Sequence, residues 1–92
     1  MAGTRHVVEQ LADAAGSVAA NRKEATAASS RREFIRYNEI ALRSAKESVV
    51  WLSTCEKTGL GDAAMCRELL DEARQIVRIL AAIVVSTKRR DV

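Results

Sequence analysis

The chain has 92 residues, enough for one domain at most, and the whole of residues 1–92 is read as a single unit. Fifteen Lys and Arg against twelve Asp and Glu leave a net charge of +3, an excess compatible with an anionic partner without demanding one. Hydrophobic content is 48%, with Phe34, Tyr37 and Trp51 as the aromatic residues and no proline, so aliphatic and alanine side chains must build the core and little interrupts a helix.

The N-terminal stretch MAGTRHVVEQ lacks the continuous apolar core of a signal peptide. The longest apolar run, Ile79 to Val85, is far short of the ~20 residues that cross a bilayer. A cytoplasmic protein with no membrane partner is therefore expected. Cys55 and Cys66 fit no zinc spacing and read as small semi-buried thiols; a disulfide between them would need Cα atoms about 6 Å apart.

In chain order, a first helix is predicted over about residues 4–27, with Thr4 as its cap. Val7, Val8, Leu11, Ala14, Ala15, Val18 and Ala19 recur on one face. Gly16 lies inside that pattern at a cost of ~1 kcal/mol against alanine, which marks either a close backbone approach or simple tolerance. Thr26 to Ser30 forms a joint, and Ser30-Arg31-Arg32-Glu33 reads as a capping box.

A second helix follows over about 31–57. Phe34, Tyr37, Ala41, Ala45, Ser48, Leu52 and Cys55 make its stripe, widened by Ile35, Leu42, Val49 and Trp51. Gly59-Leu60 has the makings of a Schellman stop. Asp62 caps a third helix over about 63–88, with Leu69, Leu70, Ala73, Ile76, Val77, Leu80, Ile83 and Val84 facing the core. From Ile76 to Val85 only Arg78 is polar, so this half is greasy all round. The fold class is all-α, an up-and-down antiparallel helical bundle. Ile76, Ile79, Ile83, Val85 and Trp51 are the candidate oligomer interface, because another helix or subunit should cover the apolar surplus.

Gly16-Ser17-Val18-Ala19-Ala20-Asn21, Glu24-Ala25, Ser30 with Glu33-Phe34-Ile35, Ala41-Leu42, Ala45-Lys46-Glu47, Trp51-Leu52 and Thr58-Gly59-Leu60 together resemble the bacterial four helix bundle protein family. That family includes proteins encoded by intervening sequences in large-subunit ribosomal RNA genes, and the accessory variability protein of diversity-generating retroelements. The resemblance covers roughly Gln10 onward. It departs from the family in one helix, which relatives carry ahead of the first helix read here. The resemblance implies an up-and-down bundle, a ring-like homo-oligomer (a pentamer in relatives), and in the retroelement branch nucleic-acid binding.

Between Arg22 and Lys46, seven basic side chains stand against Glu24, Glu33 and Glu39. Arg22, Lys23, Arg31, Arg32, Arg36 and Arg43 are the candidate nucleic-acid residues, for RNA or DNA without strong sequence preference. The same stripe also reads as a solvated helix face, with Arg43 paired to Glu39 or Glu47. Asn21 is read as a buried amide that sets helix register, and Trp51 as core or interface. Arg67, Arg74 and Arg78 face Glu68, Asp71 and Glu72 as salt-bridge partners.

No nucleophile has a base and orienting group beside it, and His6 is the one histidine, so no enzyme activity, small-molecule substrate, metal or cofactor is expected. The expectation is a non-catalytic oligomeric bundle that binds nucleic acid through its basic surface. The alternative is an interaction module that accepts a partner helix in an apolar groove.

Overall fold

The structure is a computed structural model that describes residues 2–90; residues 1, 91 and 92 of the expected unit lie outside the described residues. Three helices, α1 (Ala2–Thr26), α2 (Arg31–Thr58) and α3 (Ala63–Arg89), account for the architecture, and no strand occurs among the described residues. They fill a body of 48 × 20 × 14 Å.

Local chemistry sets the ends. Ser30 sits in extended backbone, and its Oγ accepts from the Glu33 amide at 3.1 Å. The return arm of the box falls one residue early: the Glu33 carboxylate accepts from the amide and hydroxyl of Ser29, at 3.2 and 3.1 Å. Gly59, at φ 73°, ends α2 in the left-handed region, and the Leu60 amide donates back to the Cys55 carbonyl at 3.0 Å, the long bond of a Schellman motif. Asp62 Oδ1 accepts from the amides of Ala64 and Met65 and starts α3. The expected cap at Thr4 is corrected: α1 already runs from Ala2, so Thr4 lies within the helix.

Packing is organised around α2. Both α1 and α3 lie against it, and among the described residues no α1 Cα comes within 8 Å of an α3 Cα. The helices thus stand at three corners of a square, with α2 at the corner between the other two. One core cluster joins Ala41, Ala45 and Leu80 with Val18, Leu42, Val77 and Ile83; a second joins Leu52, Leu70 and Ala73 with Leu11 and Val49. On α3 the residues against α2 are Cys66, Leu70, Ala73, Val77, Leu80, Val84 and Thr87, alternating steps of four and three as a coiled-coil seam does.

The fourth corner is an open trough. Its middle is a hollow of about 290 Å³ lined by Leu11, Ala15 and Val18 of α1, Ala45, Ser48 and Leu52 of α2, and Leu69, Glu72, Ala73 and Ile76 of α3. Leu69 and Ile76 were expected in the core, but each keeps 42% of its surface exposed. They belong to a second seam of α3, Met65-Leu69-Glu72-Ile76-Ile79-Ile83, turned toward that corner, where the described residues place nothing opposite.

Gly16 is exposed, and a Cβ built on it meets nothing within 4 Å, so tolerance explains it and not a close approach. Asn21 is only half-buried and donates to the carbonyl and hydroxyl of Ser17 on its own helix. The wholly buried amide is Asn38, which the sequence reading passed over.

Candidate nucleic-acid interface

Because the helices alternate in direction, the C-terminus of α1, the N-terminus of α2 and the C-terminus of α3 come together at one end of the bundle. Side-chain bonds tie that end. Arg22 of α1 donates to Oδ1 of Asn38 on α2. Arg31 of α2 donates to the backbone carbonyl of Arg90 at 3.0 Å. Lys88 of α3 pairs with Glu39 of α2 at 2.8 Å, an exposed pair of the kind worth roughly 0–1 kcal/mol. Lysine and arginine at the two C-termini also complement the helix dipoles there.

This convergence gathers Arg22, Lys23, Arg31, Arg32, Arg36, Lys88, Arg89 and Arg90 against Glu24, Glu33 and Glu39. Among the described residues the end carries an excess of five positive charges, before counting Asp91, which follows Arg90 in sequence; the whole chain carries +3. A shallow hollow there is lined by Arg31, Arg32, Ile35, Arg36 and Glu39.

The residues expected at this surface divide into groups. Lys23, Arg32 and Arg36 are exposed at the basic end. Arg22 is half-buried and held by Asn38, so its first role is structural. Arg31 bridges α2 to α3. Arg43 shares the outward stripe of Arg32 and Arg36 but lies ~16 Å from Arg32 along the helix, away from the cluster. Glu39, expected opposite Arg43, pairs with Lys88. The α3 tail joins the cluster from a distant stretch of sequence. Arg36 also lies over the half-buried Tyr37 ring, 5.9 Å from its centroid.

The expected oligomer-interface residues are similarly dispersed. Val85 points away from the trough and is 48% exposed, while Ile79, 59% exposed, shares the trough seam with Ile76, which walls the hollow. Ile83 packs on the Ala41–Ala45–Leu80 core. Trp51 is half-buried against α1, its ring edge-on to His6 at 5.6 Å and its Nε1 donating to Glu47 at 3.4 Å. At the opposite end both cysteines are free thiols. Cys66 is buried and donates to the Leu60 carbonyl at 3.4 Å; burial, and secondarily the nearby Cys66, push the Cys55 thiol above its usual 9.0.

Two seams on either side of a central helix, a Schellman stop and a basic end are the arrangement on which similarity to known proteins bears. The family model described as 23S rRNA-intervening sequence protein matches residues 3–82. The chain belongs to that family. A solved structure from Bacteroides thetaiotaomicron, described as a protein with unknown function from the S23 ribosomal protein family, superimposes with a TM-score of 0.80 at 28% identity. The match covers 85% of this intervening-sequence family chain and 72% of that one. No curated protein matches it. No helix of this family member is long and apolar enough to cross a membrane among the described residues.

Proposed function

We propose that this intervening-sequence family protein is a non-catalytic, self-associating bundle that binds nucleic-acid backbone through its basic end. The observation that carries the reading is the convergence, among the described residues, of eight cations from the three helices and the α3 cap against three carboxylates at one end of a body only 20 × 14 Å across. Phosphate neutralisation by exposed Lys and Arg releases condensed counterions and needs no base-reading geometry. Val85, exposed on the side of α3 away from the trough, offers contact to further copies, and each added copy multiplies the basic ends presented to one strand.

The test is equilibrium binding to a 20-nucleotide single-stranded RNA and to a duplex DNA of arbitrary sequence. The double variant R32E/R36E is compared with R67E/R74E, which reverses the same number of exposed charges away from the basic end. The reading expects binding by the native protein and the second variant, and loss of it in the first. Equal loss in both variants, or no binding by the native protein at low salt, contradicts it.

A further inference from the structure

We infer that a hollow on the outer side of the α2–α3 seam, facing away from the trough, binds a small organic anion, its charged head among Lys46, Arg74 and Arg78 and its apolar ring on Val49 and Val77. These five residues line a space of about 230 Å³. Val49 and Val77 are half-buried and pack on the two core clusters, so the floor is apolar and fixed by packing. The three cations are exposed at the rim. Lys46 lies ten residues beyond Arg36 on α2, ~15 Å along the helix, so the site is separate from the basic end.

What marks the hollow is charge left without a partner. Arg74 and Arg78 were expected to pair with Glu68, Asp71 and Glu72. Among the described residues neither makes an ion pair or a side-chain hydrogen bond, and nor does Lys46. Neither Lys46 nor Arg78 has a carboxylate three or four residues to either side, the spacings that meet on a helix. Arg74 has Asp71 at such a spacing, yet the two do not pair. Arg74 and Arg78 instead stand one turn apart, where like charges repel, and Lys46 faces them across the seam. An anion held among the three removes that repulsion.

The lining selects the ligand. Three cations suit a head with more than one negative charge, and a phosphate monoester carries about −1.5 to −2 at pH 7. The planar guanidinium groups can each offer paired N–H donors to its oxygens. The space is smaller than the ~300 Å³ at which drug-sized pockets begin, so the apolar body is about one or two rings. A nucleic-acid strand has no apolar group to cover Val49 and Val77, and no aromatic side chain lines the hollow to stack a base. An aryl phosphate matches both halves of the lining.

The test titrates 2-naphthyl phosphate into the full chain and follows the methyl resonances of Val49 and Val77 by NMR. Inorganic phosphate and 2-naphthol serve as the two halves of the probe. One-to-one binding is expected, about tenfold tighter than that of either half. R74Q/R78Q should weaken it about tenfold while leaving the thermal transition of the chain in place, because both side chains are exposed. R32E/R36E should bind the probe as the native chain does, so a failure of the basic end leaves this site standing. No binding, an affinity equal to that of either half, or a complex indifferent to R74Q/R78Q overturns the inference. So does a 20-nucleotide RNA that displaces the probe and itself loses affinity in R74Q/R78Q, because the hollow would then belong to the nucleic-acid surface.

Discussion

The guanidinium of Arg22 on α1 donates to Oδ1 of Asn38 on α2, and Asn38 has none of its surface exposed. The same amide donates Nδ2 to the Phe34 carbonyl at 2.9 Å, so it is satisfied on both sides. A second polar contact, Ser17 Oγ to Ser44 Oγ at 2.7 Å, lies further along the same interface. The α1–α2 seam thus adds hydrogen bonds between polar side chains to the apolar packing of Val7, Leu11 and Val18, whereas the α2–α3 seam is built on Leu52, Leu70 and Leu80.

That asymmetry gives the first prediction. Arg22→Ala leaves a buried acceptor without its donor and should cost ~1–3 kcal/mol in urea unfolding. Arg22→Leu with Asn38→Leu should cost less than the two single changes added together, with a coupling of about 1 kcal/mol or more. Strict additivity would mean that the pair does not fix the α1–α2 register.

Gly16 has open space where a side chain would go. Gly16→Ala should therefore stabilise the chain by up to about 1 kcal/mol and raise its thermal midpoint, since alanine lowers the backbone entropy lost in the helix. A fall in the midpoint would show that the space is occupied in solution.

Gly59 is the reverse case. Its φ of 73° is one that other residues rarely adopt, so Gly59→Ala should destabilise by ~1 kcal/mol despite the open space around it. Guanidinium unfolding of this variant beside Gly16→Ala separates backbone conformation from packing.

The local chemistry of Ser30, Gly59 and Asp62 was legible in sequence because each acts within four or five residues. The all-α fold followed from periodicity for the same reason. Leu69 and Ile76 were not placed correctly: a step of four or three puts a residue on a seam, but two adjacent seams have the same spacing, and only the position of a neighbouring helix distinguishes them. Asn38 was missed although it lies one step before Ala41-Ala45-Ser48-Leu52 on the buried stripe, a spacing that marks it as interior. The basic cluster was half legible. Arg32 and Arg36 showed in the local charge excess, whereas Lys88, Arg89 and Arg90 join them only because α3 runs back to the start of α2.

The Cys55 thiol is held above its usual 9.0, chiefly by burial. Because its folded value exceeds the unfolded one, its contribution to stability is complete below about pH 9 and is lost as the pH rises through the folded value. Alkylation by iodoacetamide should accordingly show a rate midpoint above 9.0 for Cys55 in the folded chain, falling toward 9.0 in urea. An identical midpoint in both states would contradict the burial assigned to it.

The most direct measurement of the central claim is the salt dependence of binding to duplex DNA, followed by fluorescence anisotropy. If Lys23, Arg32, Arg36, Arg89 and Arg90 supply the contacts, log K should fall with log salt at a slope of about −4.5, and R32E/R36E should flatten that slope by about 2. A slope near zero, or one that R32E/R36E leaves unchanged, would contradict a phosphate-binding end.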